Sequence, residues 1–208
     1  MLPDDTSFIT DEAALRKVHH APMSRATDKV LRTLDPHCRK ILSLSPFCVI
    51  ATQGPNGADI SPRGDPPGFV QVLDDRTLII PDRPGNNRLD GFRNIVHDPR
   101  IGLLFLIPGV GETLRVNGRA SISIDPGLMQ SFTVNGKLPR SVLIVHIETV
   151  YFHCSKAIVR SKLWDEKTKI DRKSLPSTGT ILAELSQGKL GGEAYDRDAP
   201  ERIKAQLY

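Results

Sequence analysis

The stretch Phe47-Cys48-Val49-Ile50-Ala51-Thr52-Gln53-Gly54-Pro55-Asn56-Gly57-Ala58-Asp59-Ile60-Ser61 decides the fold. Its first six residues form a short apolar run of strand formers. Gln53–Gly57 carries turn residues, and Ala58–Ser61 resumes as a strand. A run, a turn and a returning run predict a β-hairpin with a slightly long loop. Pro62–Gly68 holds three prolines and two glycines and predicts an irregular loop. A second hairpin follows, Phe69–Leu73 and Thr77–Ile80 around Asp74-Asp75-Arg76.

Further along, 87–96 places Leu89, Phe92, Ile95 and Val96 at helical spacing. Ile101–Ile107 is a continuous apolar strand, and Thr113–Ile124 is a long strand with a break at Asn117-Gly118. Asp125-Pro126 opens a short helix, with proline at the favourable first position. Ser141–Ile147 is a β-branched strand continuing to Phe152. Upstream, helices are expected over 10–20 (capped by Thr10), 25–34 and 37–44. Downstream, Lys156–Leu163 and Thr180–Gln187 read as helices, 165–178 as a loop, and 189–208 as a polar tail that frays. Short turns between strands imply an antiparallel sheet with helices at its margins. A barrel of about six strands is the expected way to bury such a core without open edges.

The 208 residues carry a net charge of +4, with 39% apolar and 25% charged residues. This is ordinary globular composition. No run approaches the length needed to cross a bilayer. The acidic start Met1-Leu2-Pro3-Asp4-Asp5 has no signal-peptide pattern. Three widely spaced cysteines, Cys38, Cys48 and Cys154, exclude a disulfide framework or CxxC zinc site and fit a reducing cytoplasm. Lys and Arg are scattered among acids, and only three Tyr and one Trp are present, so nucleic acid is not the expected partner.

The chemistry lies in two loops. Ser61-Pro62-Arg63-Gly64 ends a strand with a hydroxyl and a guanidinium, and the planar Arg fork suits a phosphate. Pro81-Asp82-Arg83-Pro84-Gly85-Asn86-Asn87-Arg88 runs into a helix N-terminus, where free N–H groups favour an anion. Asn86 or Asn87 can cap that helix. Arg88 sits unfavourably in a first turn unless an anion binds there. The plainer alternative is a capping Asn, with Arg88 paired to Asp82 or Asp90. For either loop alone that alternative leads; for both together, a ligand does.

These residues resemble a known family. The strand Phe47–Thr52, the Gly-Pro-Asn-Gly turn, Ser61-Pro62-Arg63-Gly64-Asp65 and Asn86-Asn87-Arg88-Leu89 look like the pyridoxamine 5'-phosphate oxidase-like family, and more narrowly its subgroup of predicted FMN-dependent enzymes. Leu114–Ala120 fits the next family strand. His153–Ala157 with Arg160-Ser161 and Leu163-Trp164 resembles the subgroup's C-terminal segment. The likeness covers roughly residues 40–165. It implies a six-stranded antiparallel split β-barrel of FMN-binding type that dimerises with FMN at the interface. The domains would be a helical extension (1–45), the FMN-binding barrel (46–165), and a helix and tail packed on it (166–208).

By the same resemblance, Ser61 and Arg63 lie beside the flavin or its phosphate, and Ile80-Pro81-Asp82 follows the ring edge. Asn87 and Arg88 hold phosphate and ribityl, and Thr113 and Arg115 face the ring. Lys156, Arg160, Ser161 and Trp164 come from the second subunit. The oxidase's Arg-x-x-x-Leu-Lys motif and C-terminal Arg-x-His signature are missing, so vitamin B6 is not the expected substrate. The implied activity is an FMN-dependent oxidoreductase using a nicotinamide or other small organic donor, with no catalytic residue assigned. The alternative is a non-catalytic flavin carrier, or a deazaflavin or haem binder on the same scaffold.

Other candidates carry less. His153 and Cys154 are adjacent, hence on opposite strand faces, and no further metal ligand accompanies them. His19-His20 reads as a solvated helix face and Asp74-Asp75 as turn chemistry. Gly109-Val110-Gly111 lacks the rest of a dinucleotide fingerprint. Trp164 is either a packing anchor or a flavin neighbour.

Overall fold

The computed structural model describes residues 8–208; the acidic start Met1–Asp5 lies outside them. Nine α-helices and seven strands are present among the described residues. The strands are β1 (Phe47–Gly54), β2 (Gly57–Gly64), β3 (Gln71–Val72), β4 (Thr77–Pro81), β5 (Arg100–Leu106), β6 (Thr113–Ser123) and β7 (Val142–His153). They form one sheet in the order β2-β1-β5-β6-β7-β4-β3, every pair antiparallel. The expected six-stranded barrel is therefore corrected to an open sheet of seven strands, in which Phe69–Leu73, expected as a full hairpin strand, is reduced to the two-residue β3. The sheet stays open, with β2 and β3 as its edges.

Alternation explains the core. Cys48 and Ile50 of β1, Leu103 and Phe105 of β5, Leu114 and Val116 of β6, and Val145 and Val150 of β7 all lie in one buried cluster. Asn117/Gly118 is a register shift between β6 and β7, where the sequence places a break. A Cβ on Gly118 would sit 2.1 Å from the His146 carbonyl oxygen, so only glycine fits the bulge. α3 (Pro36–Leu44), capped by Asp35, buries Cys38 and Leu42 against this core. α4 (Asp90–His97) packs on β1 and buries Asn94 and Ile95.

Four local expectations need correction. α1 (Glu12–Val18) is capped by Asp11 rather than Thr10. α2 is only Ser24–Thr27, because Leu31 exchanges backbone hydrogen bonds with Val150 and the chain there runs as an isolated bridge. Pro62-Arg63-Gly64 is strand after all, paired with Val49, Cys48 and Phe47. An edge strand needs ladder bonds on one side only, which is where proline is tolerated. The polar tail is also ordered. After α5 (Pro126–Gln130), α6 (Lys156–Ser161) and α7 (Thr178–Leu185) come α8 (Gly192–Arg197) and α9 (Ala199–Gln206). No helix among the described residues is long and apolar enough to cross a membrane.

Candidate functional site

β2 is polar on the face that its neighbours bury. Asp59, Ser61 and Arg63 pair with Thr52, Ile50 and Cys48, the inward row of β1. Ile60 and Pro62 point the other way and are exposed. A polar row on an inward face needs a wet or ligand-filled space, and one is present. A cleft of about 820 Å³ is lined by Asp59 and Ser61–Gly64 of β2, by Pro81–Phe92, and by Arg140 and Ser141 just before β7. It falls within the size range of small-molecule sites. β2 and the loop after β4 belong to opposite sides of the sheet order, yet both border this cleft. The sheet therefore curls until its margins face each other.

An ion pair crosses the gap. Arg83 Nε donates to Asp65 Oδ2 at 2.7 Å, and Arg83 Nη1 donates to the Phe132 carbonyl at 2.7 Å. Both charged side chains are largely buried.

The loop 82–89 is held from β7. Asp82 N–H donates to the Ser141 carbonyl and Arg140 N–H to the Asp82 carbonyl. The Arg140 guanidinium donates to Asn87 Oδ1. Asn87 and Leu89 have φ of 59° and 60°, left-handed values rare for non-glycine residues. Asn86 Oδ1 accepts the Arg88 N–H at 3.0 Å. This local bond competes with the helix, so α4 begins at Asp90 and neither Asn caps it. Gly91 in its first turn lies so close to β2 that a Cβ would meet Asp59 Oδ2 at 2.9 Å.

Charge is unevenly spent. Arg88 pairs with Asp90, one of the alternatives open in the sequence, and is largely solvent-exposed. Arg83 is committed to Asp65. Arg63 and Arg140 have no carboxylate within ion-pair distance among the described residues. They are the two cations acting on Asp82, whose half-buried carboxyl is pushed above the ordinary range by burial, against the pull of both guanidiniums. The donor set is two guanidiniums without a carboxylate partner, Arg63 bonded to the Pro62 carbonyl and Arg140 to Asn87 Oδ1, with a serine hydroxyl and a loop held in left-handed turns. It suits a phosphorylated ligand.

Residues 34–154, more than half of the chain, match the sequence profile described as pyridoxamine 5'-phosphate oxidase. The chain belongs to that family. Among solved structures this family member is similar to HupZ of Group A Streptococcus, at 18% identity over 56% of this chain and 91% of that one, with a TM-score of 0.47. It is also similar to General Stress Protein 26 from Bacillus anthracis str. Sterne, at 19% identity over 55% and 88%, with a TM-score of 0.43. An F420 reductase is similar at 17% identity over 55% and 94%, with a TM-score of 0.39. No curated protein matches the chain.

Of the residues that the family resemblance singles out, Ser61, Arg63, Pro81, Asp82, Asn87 and Arg88 line the one cleft. Ile80 does not; its side chain is 1% exposed in the core, because both faces of β4 are covered. Thr113 and Arg115 sit elsewhere. Arg115 belongs to the row Leu104, Val49, Pro62, on the face opposite Arg63. Its guanidinium lies 5.7 Å from the Tyr151 ring, which is 5.3 Å from His153. Burial, then Lys29 and Arg115, hold His153 below the usual imidazole range. Lys156, Arg160 and Ser161 are exposed on α6, and the Trp164 indole N–H donates to the Val110 carbonyl at 2.8 Å. Within one chain these six do not border the cleft.

Sequence reasoning passed over Asp59, Arg83, Arg140 and Gly91. Arg140 had one available signal: it lies two residues before the strand that pairs with β4, whose register sets Ser141 opposite Asp82 and brings the Arg140 N–H onto the Asp82 carbonyl.

Proposed function

We propose that the chain is a homodimeric FMN-dependent oxidoreductase of its family, acting on a substrate other than vitamin B6. On this reading the curled sheet is a split β-barrel of FMN-binding type, with residues 46–165 as the cofactor domain. The observation that carries it is the pair Arg63 and Arg140, both without carboxylate partners, at a cleft between the two sheet margins. These guanidiniums would hold the phosphate, and the Ser61 hydroxyl would add a donor. Arg88, already paired with Asp90, would contribute less than the sequence implied. The Asp82 carboxylate, fixed through its backbone to β7, would accept from an N–H of the ring system. FMN, when bound, supplies electron transfer between a nicotinamide or other small organic donor and an acceptor.

One surface feature favours a dimer. The outward face of β2, β1 and β5 presents Ile60, Phe47 and Leu104 to solvent. Thr113, Arg115, Lys156, Arg160, Ser161 and Trp164 would then complete the cleft of the other protomer. Free thiols at Cys38, Cys48 and Cys154 suit the cytoplasm.

Purified protein is expected to be yellow, and NADH or NADPH added without oxygen is expected to bleach it. Arg63→Ala and Arg140→Ala should each weaken FMN binding about tenfold or more, the effect of losing a charge-assisted hydrogen bond. A colourless protein that gains no flavin absorbance from added FMN overturns the reading. Tight binding without reduction overturns its enzymatic half and leaves a flavin carrier.

A further inference from the structure

Four segments far apart in sequence meet at the outer wall of the cleft. Asp65 follows β2, Arg83 follows β4, Phe132 and Lys137 precede β7, and Tyr208 follows α9. The Tyr208 hydroxyl donates to Asp65 Oδ1 at 2.6 Å, while Arg83 Nε occupies Asp65 Oδ2. The Arg83 guanidinium lies 5.3 Å from the Tyr208 ring centroid. Lys137 Nζ donates to the Tyr208 carbonyl at 2.7 Å. The Asp65 carboxylate retains the phenol proton and so pushes the Tyr208 hydroxyl above its usual range.

The arm that brings Tyr208 here is itself locked. Asp196 of α8 accepts the Gly179 N–H of α7 at 2.7 Å and the Ser177 hydroxyl. Arg202 of α9 lies 3.8 Å over the Tyr195 ring of α8 and donates to the Tyr195 carbonyl. The three helices are thus tied in series. Beyond them, Tyr208 satisfies the oxygen of Asp65 that Arg83 leaves free.

We propose that residues 199–208 are a strap against the outer wall of the cleft and that Tyr208 is a positioning residue, fixing the Asp65–Arg83 pair and through it Arg83 in the cleft wall. Strap docking and cleft occupancy are therefore coupled, so a ligand in the cleft holds the strap down. The ligand half of this statement rests on the FMN reading; the docking half does not.

The test uses the full chain with Tyr208→Phe, which keeps the ring and removes one hydroxyl, and Lys137→Met, which lies outside the cleft. Both should speed amide exchange at 62–68 and 81–88, where Asp65, Gly68 and Asp82 N–H groups bridge to other segments. Both should weaken FMN about fivefold, the scale of one net hydrogen bond. In an Arg83→Ala background, Tyr208→Phe should have no further effect on FMN affinity, an outcome a merely structural role would not give. Unchanged exchange in both variants overturns the strap. Changed exchange with wild-type FMN affinity, or an undiminished Tyr208→Phe effect without Arg83, overturns the coupling. If wild-type protein binds no FMN, the cofactor reading fails, while exchange still decides whether the strap exists.

Discussion

The Asp65–Arg83 pair ties the two margins of the sheet together, and removing one partner should cost more than removing both. Asp65 is 3% exposed and Arg83 17% exposed at the side chain. In Asp65→Ala the guanidinium loses its counter-charge and keeps only the Phe132 carbonyl among its hydrogen-bond acceptors. Breaking a buried pair from one side costs about 3–5 kcal/mol. Arg83 retains some solvent and one carbonyl, so Asp65→Ala should fall near the lower end, about 3 kcal/mol. For a chain of this size that is a fall in Tm of roughly 6–12 °C. Arg83→Met strands the more buried charge, with only the Tyr208 hydroxyl left to it, and should reach the upper end, about 4–5 kcal/mol. The double variant Asp65→Ala/Arg83→Met leaves no orphan charge and should lie closer to wild type than either single variant, within about 1–2 kcal/mol. Urea unfolding of the four proteins, fitted with a common slope, measures all the terms. The reasoning is refuted if both single variants stay within about 1 kcal/mol of wild type, or if their losses simply add in the double variant.

Two further outcomes follow from the same electrostatics. Burial raises the Asp82 carboxyl despite Arg63 and Arg140, so its contribution to stability is full below its unfolded value of 3.8 and is lost as pH rises through the folded value. Asp82→Asn should therefore match wild type in acid and exceed it in urea resistance at neutral pH; a neutral-pH loss would show that the attraction of the two guanidiniums outweighs burial. Burial holds the Cys38 and Cys48 thiols up at about 12, whereas Cys154 is exposed. A thiol reagent at mildly alkaline pH should label Cys154 quickly and the other two only on unfolding, read by mass spectrometry, and rapid labelling of all three would contradict that burial.

What the sequence made legible was local. The β1–β2 hairpin, the break at Asn117-Gly118, the Asp125-Pro126 helix start and the β7 run all depend on near neighbours and on side-chain period. What it hid depends on partners distant in the chain. The stretch 25–34 reads as a helix, but Leu31 is claimed by Val150. Pro62 looks like a strand breaker until β2 proves to be an edge. Asn86 and Asn87 look like caps until Asn86 bonds the Arg88 N–H and Asn87 takes up Arg140. The tail looks unsupported because its stabilising groups, Asp196, Arg202 and Tyr208, act across helices and onto Asp65.

The same distinction decides where an anion would bind. Read along the chain, the strongest feature is Asn86-Asn87-Arg88 before a helix. In three dimensions that end of the cleft already contains Asp59 and Asp90, and Arg88 is spent on Asp90. At the other end Arg83 is spent on Asp65, which leaves Arg63 and Arg140 facing one half-buried carboxyl. Two guanidiniums against one acid give a local excess of positive charge there, with Arg140 bonded to Asn87 in a loop already bent into left-handed turns. Arg63 comes from one sheet margin and Arg140 from the strand that carries the other. Their convergence therefore exists only once the sheet has curled, and the cation excess is a product of the tertiary fold rather than of either loop.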